Sequence, residues 1–346
     1  MRPYLLNITL LALAFLLSVG IGSVFIPPMT VLRIFAAQAT SVLSGIEVVV
    51  PFIVDWPQAY QIILFSVRLP HTILVALTGA ALAGSGAAYQ GLFRNPLADP
   101  FLIGVASGAG LGAVLALSRN WPDTWFGFYA VPLAAFLGAI VTVIIVYNLA
   151  KTQQAVQTTT LILAGVAVSS FATALTSLLM LRSDAELRRA LGWLLGGSIL
   201  GGWTPVWAVL PYITLGLITL MTMGHALNVL QFGDEQAQQM GLSVERTKRL
   251  LIVAASLTTA AAVAFSGIIG FIGLIVPHLV RMIWGPDYRR LVPLSIIGGS
   301  TALLLADLLA RSLLAPQILP VGIVTALAGA PFFLWILYRS KTKALW

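Results

Sequence analysis

Residues 231–249 read Gln-Phe-Gly-Asp-Glu-Gln-Ala-Gln-Gln-Met-Gly-Leu-Ser-Val-Glu-Arg-Thr-Lys-Arg, and the reading of the whole chain turns on them. Only 9% of the 346 residues are charged, yet this stretch gathers Asp234, Glu235, Glu245, Arg246, Lys248 and Arg249 between two long apolar runs. Ionised groups are too costly in hydrocarbon for a bilayer-spanning helix to carry so many. The stretch therefore lies in water. Its spacing predicts two short helices hinged at Gly241, a compact surface feature rather than a slack loop.

Outward from that stretch the chain is strongly apolar. Hydrophobic residues make up 59% of it, and the mean hydropathy is +0.98. Soluble domains average about 45–50% apolar and about 25% charged. Apolar segments of about 20 residues recur along the length, the mark of membrane helices rather than of a β-barrel. An all-α membrane protein of about ten transmembrane helices follows, as one transmembrane domain over 1–346. The 31 Gly and 18 Pro predict close helix packing and some broken helices. Without cysteine there is no disulfide and no Cys metal site. The net charge of +8 points to Lys and Arg on one membrane face, not to nucleic acid.

The expected spans are 4–26, 62–92, 101–118, 129–150, 158–181, 205–230, 250–268, a short broken segment at 267–284, 291–311 and 320–338. Residues 4–26 also suit a signal peptide, but the run is long and no A-x-A-like site follows it, so an uncleaved span is preferred. Residues 27–60, with Glu47, Pro51 and Asp55, predict an external segment with one or two short interfacial helices. Residues 119–128 form a short external loop, 151–157 a polar turn, and 182–202 an interfacial helix with a Gly-rich connection. Asn95, Pro96, Asp99 and Pro100 predict a tight turn in which Asp99 caps the next helix. Gly104, Gly108 and Gly112 then line one face of that helix. With both termini inside, twelve of the 19 Lys and Arg fall on inner segments and seven on outer ones.

The order of motifs is recognisable. Arg68-Leu69-Pro70, Gly79-Ala80-Ala81-Leu82-Ala83, Gln90, Arg94 to Pro100, Gly270 to His278, Ala306-Asp307 with Arg311, Leu319 to Gly322 and Gly329-Ala330-Pro331 follow one another over residues 60–340. The pattern resembles the permease subunits of binding-protein-dependent ABC importers for iron chelates (siderophores, haem) and cobalamin. The resemblance implies the type II importer fold with ten spans, working as a homodimer or paired similar subunits in a bacterial or archaeal inner membrane. It also implies two cytoplasmic ATPase subunits, which hold ATP and Mg, and an external substrate-binding protein. This chain would bind no cofactor. Asp234, Glu235, Ala237, Met240 and Gly241 would form the coupling helices seated on the ATPase, with Gln236 and Met240 departing mildly from the family pattern. Arg68 and Arg311 would dock the binding protein, with His71 where many members carry a second Arg. Gln157, Thr158 and Thr159 fall where members carry a cytoplasmic gate.

Each motif also has a plainer reading. The 231–249 stretch would be a solvated loop, and Arg68 and Arg311 would snorkel to the interface or, for Arg311, pair with Asp307 one turn away. Gln157 to Thr159 would be a capped helix start. Gly108 to Ala113 matches a dinucleotide fingerprint but lies in a span, where helix packing is the preferred reading. His278, beside Pro277, is read as structural rather than as a haem or metal ligand, Met221 and Met223 as packing residues. The chain carries no G-x-x-x-x-G-K-[ST] loop and so no ATPase site of its own. An ion-coupled transporter would need ionisable groups near the bilayer midplane, and a membrane enzyme a polar cluster within the spans; this topology places neither.

Overall fold

The computed structural model describes residues 2–22, 24–43, 55–119, 125–151, 157–181, 184–197 and 201–343. Glu47, Pro51, loop residues 120–124, turn residues 152–156, Arg182, Ser183 and residues 198–200 lie outside the described residues. Among the described residues the helices are α1 (Arg2–Gly20), α2 (Pro28–Leu43), α3 (Gln58–Leu92), α4 (Val105–Leu117), α5 (Trp125–Ala150), α6 (Thr158–Met180) and α7 (Asp184–Leu194). They continue as α8 (Trp203–Thr222), α9 (Gly224–Leu230), α10 (Asp234–Gln239), α11 (Val244–Ser266), α12 (Ile272–Trp284), α13 (Tyr288–Ser312) and α14 (Val321–Lys343). Seven of these are long and apolar enough to cross a membrane, and Val105–Leu117, Ile272–Trp284 and Val321–Ile336 are shorter apolar helices.

The central element is α3. From Thr78 to Leu92 every residue is buried, against α8, α11, α12 and α13. Lipid gives apolar helices no hydrophobic reason to associate, so close backbone approach has to hold the bundle. Glycine supplies it: a Cβ on Gly86 would lie 1.9 Å from Gly273 O, and one on Gly79 would lie 2.3 Å from Gly299 O. A second seam joins α4 to α5, where a Cβ on Gly108 would sit 2.2 Å from Thr142 Oγ1 and one on Gly112 2.1 Å from Ala134 O. The glycines of the fingerprint-like run are thus filled by a neighbouring helix, with no room for a nucleotide.

Several boundaries differ from expectation. The first helix stops at Gly20, and Ile26 beyond it packs with Val31, Ile34, Trp56 and Leu64. The sixth span breaks at Met223 into α8 and α9. The second of the two short helices expected at 231–249 is the start of the long α11, so the span opens at Val244 rather than near 250. The segment after Asp99 is not yet helix: residues 95–104 form turns, and α4 begins only at Val105, after Gly104 at φ +86°. Asp99 Oδ1 accepts the Phe101 N–H at 2.8 Å and so caps a turn, not a helix.

Candidate functional site

At one end of the bundle, α10 forms a knob between the broken sixth span and α11. Gly233 enters it at φ +101° and Gly241 leaves it at φ +86°. The Leu242 N–H bonds Ala237 O at 3.0 Å and the Gly241 N–H bonds Gln238 O at 3.0 Å. That pair is a Schellman closure, which places glycine where the backbone must turn left-handed. Ala237 is fully buried under the knob, while Glu235 stands exposed and Met240 and Phe232 are 61% and 60% exposed. Asp234, in the first turn where a negative charge suits the helix dipole, pairs with Lys248 of α11. The Lys248 side chain is only 4% exposed. This ion pair pins the knob to the following span, and Glu235, Arg246 and Arg249 stand exposed.

Behind the knob, α9 is tied to two central helices. Asn228 Nδ2 donates to Asp287 Oδ1 at 2.6 Å, and its Oδ1 accepts the Tyr288 N–H at 2.9 Å. Gln231 Nε2 donates to Gly91 O of α3 at 3.0 Å. Asp287 caps α13 through the Arg289 N–H at 3.0 Å, and its bonds to the Arg289 side chain and then to Asn228 hold its carboxyl well below the usual range. Nearby, Arg281 of α12 donates to Gln90 Oε1 at 2.9 Å, and Gln90 Nε2 donates to Leu274 O at 3.1 Å. Sequence reasoning missed Asn228, Gln231 and Asp287. Asp287 ahead of a helix start was a readable cap signal, but its cross-chain partners were not.

The opposite end brings Arg68, His71 and Arg311 together around the last turn of α1. The Arg68 guanidinium donates to Val19 O at 2.9 Å, Gly20 O at 2.8 Å and Val24 O, and the residue is 7% exposed. Arg311 donates to Ile21 O at 3.2 Å and to Ser18 Oγ at 3.0 Å. A helix leaves its last carbonyls unpaired and carries partial negative charge there, so two guanidinium groups satisfy both needs at once. Asp307 binds Arg311 Nε at 2.9 Å and His71 Nε2 at 3.0 Å, at 5% exposure for the residue. Both arginines are engaged within the chain, and His71, with a side chain 33% exposed, is the member nearest the surface.

The other expected residues stand apart from these corners. Gln157 precedes α6 in extended conformation, without a side-chain cap bond, and accepts from Thr160 Oγ1 at 3.3 Å; Thr158 and Thr159 open the helix. Asn95 Oδ1 accepts the Leu97 N–H at 2.9 Å, just before Pro96. Pro100 packs against Gly273, where a Cβ would lie 2.6 Å from its Cγ, and Pro277 lies inside α12. Among the described residues no three of His, Asp and Glu gather as metal ligands.

A polytopic helical bundle with a water-exposed knob between two spans has the architecture of a transport permease. The FecCD transport family matches residues 10–339, and the chain belongs to it. It is 46% identical over 289 residues to the cobalamin import system permease protein BtuC of Halobacterium salinarum, covering 84% of this chain and 77% of that one. It is 39% identical to the hemin transport system permease protein HmuU of Yersinia pestis, covering 81% and 84%. A solved structure described as an inward-facing metal-chelate-type ABC transporter superposes with a TM-score of 0.80 at 31% identity, over 96% of this chain and 97% of that one. The protein is a multi-pass ABC importer permease rather than an enzyme or an ion-coupled carrier.

Proposed function

We propose that the chain is the transmembrane half of an ATP-driven importer that carries a ferric chelate, siderophore or haem, from an extracytoplasmic binding protein to the cytoplasm. Cobalamin is the second cargo, supported by the relative named for it. The permease works as a homodimer in the bacterial or archaeal inner membrane, both termini cytoplasmic, with two ATP-binding cassette subunits that hold ATP and Mg. The carrying observation is the knob at 232–241: an exposed acidic and apolar tip on a short helix, pinned at its base by Asp234 and Lys248. Such a tip fits a groove on a partner. Motion of the knob reaches α13 through Asn228 and α3 through Gln231. At the other end, the arginine-bound turn of α1 with His71 forms the frame that meets the binding protein.

The test is stimulated ATP hydrolysis by the reconstituted complex. Gly241→Val forces a branched side chain into left-handed backbone, at a cost of about 1–2 kcal/mol, with no clash because nothing lies within 4 Å of its Cβ. Together with Glu235→Lys it should abolish stimulation while the permease stays folded. Stimulation at the wild-type level in the double variant would reject the coupling role.

A further inference from the structure

Between α3 and α4 the chain does more than turn. A Cβ on Gly165 would lie 2.2 Å from Leu102 O, and one on Gly104 would lie 2.7 Å from Thr142 Cγ2 and 3.3 Å from Ser169 Oγ. Gly165 and Ser169 stand seven and eleven residues into α6, about 10–17 Å from its start at 1.5 Å per residue. Against a hydrocarbon core of about 30 Å, residues 99–104 are therefore non-helical backbone at membrane depth. Such backbone survives only where protein covers it or where it lines a water-filled cavity. Here an open groove of about 670 Å³ lies beside it, lined by Asp99, Leu102 and, on α6, Ser169, Ser170, Thr173 and Ser177.

The wall chemistry has a sign. Asp99 gives one oxygen to the Phe101 N–H, and among the described residues no side chain bonds its other oxygen. The Ser170 hydroxyl donates to Val166 O at 2.9 Å and the Ser177 hydroxyl to Thr173 O at 3.0 Å, so both present their lone pairs outward. Among the described residues no cationic side chain lines the space. A carboxylate in a span region is costly and marks function. Its depth went unread in the sequence because Asn-Pro and Asp-Pro spell a surface turn.

We propose that this pocket is a cargo subsite on the import path, where Asp99 and the α6 hydroxyls accept hydrogen bonds from donor groups of a neutral or cationic cargo and turn away polyanions. The subsite rests on the importer reading above and narrows it. Hydroxamate-type chelates and amide-rich corrinoids fit it; triply anionic catecholate chelates do not.

The detergent-solubilised permease–ATPase complex, without binding protein, is tested for equilibrium binding of three probes: a cationic ferric trihydroxamate, cyanocobalamin and a triply anionic ferric tris-catecholate. The wild type should hold one of the first two and not the third. Asp99→Asn should weaken that binding about tenfold, the worth of one charge-assisted hydrogen bond. Asp99→Lys should reverse the preference, and Ser170→Ala with Thr173→Val, which keeps helix and volume, should weaken binding by a smaller factor. Equal binding by wild type and all variants, wild-type binding of none of the probes, or a wild-type preference for the catecholate overturns the subsite. Stimulated ATP hydrolysis by the wild-type complex, measured alongside, judges the importer reading separately.

Discussion

At the knob end, Glu235, Arg246 and Arg249 stand exposed and the ion pair of Asp234 with Lys248 faces inward. At the opposite end, Arg68, Arg311 and Asp307 all turn inward, onto the carbonyls of α1 and onto one another. The residue types are alike and the duties are opposite. The difference comes from what each corner leaves unsatisfied. The end of α1 offers bare carbonyls within reach of two guanidinium groups, whereas α10 closes its own end through Gly241 and needs no outside donor. The exposed charges of the knob are thus available for the coupling contact proposed above.

The contrast breaks most sharply at Asp307. Asp307→Asn leaves the Arg311 cation, its side chain 15% exposed, without its carboxylate. Removing one partner of a buried pair costs about 3 kcal/mol or more. A large fall in the unfolding midpoint in detergent is expected, and Arg311→Gln added to it should recover part of the loss. A midpoint unchanged by Asp307→Asn would mean that the inward corner is no frame at all.

A smaller effect belongs to the knob. Lys248→Met removes a pair whose Asp234 side is 48% exposed, so about 1 kcal/mol or less is expected in stability. The local effect should exceed the global one. Amide exchange over 234–241 should quicken while that of α13 stays put; equal change in both would erase the distinction between corner and bundle.

The smallest effect is a matter of pH. The folded-state carboxyl of Asp287 is depressed by Arg289 and Asn228, so its contribution is present above the ordinary carboxylate value, about 3.9, and is lost only as pH falls through the lower folded value. The stability gap between wild type and Asp287→Asn should therefore hold from pH 7 down to about pH 4. A gap that closes by pH 5 would show that the tie between α9 and α13 is weaker than its geometry.

Much of the architecture was legible in the residues. Apolar length marks a span whatever it packs against, and Gly241 marks a left-handed turn because other side chains resist that backbone. Legibility failed at short range. Asp99-Pro100 spells a helix cap, yet Leu102 packs on Gly165 and Gly104 fits beside Thr142, and those contacts hold the chain in turns until Val105. The Asp234–Lys248 pair, fourteen positions apart, has no local signature either.

The sequence by itself determined that this is a helical membrane permease with a charged, water-exposed stretch at 231–249 between two of its spans, because hydrophobicity and charge act residue by residue along the chain. Which charges stay exposed at the knob, which cap α1, and how Asp99 packs beside α6 were decided only by the tertiary structure. Those outcomes depend on which unpaired carbonyls and which glycine-thin surfaces distant segments bring within a few ångströms of each side chain.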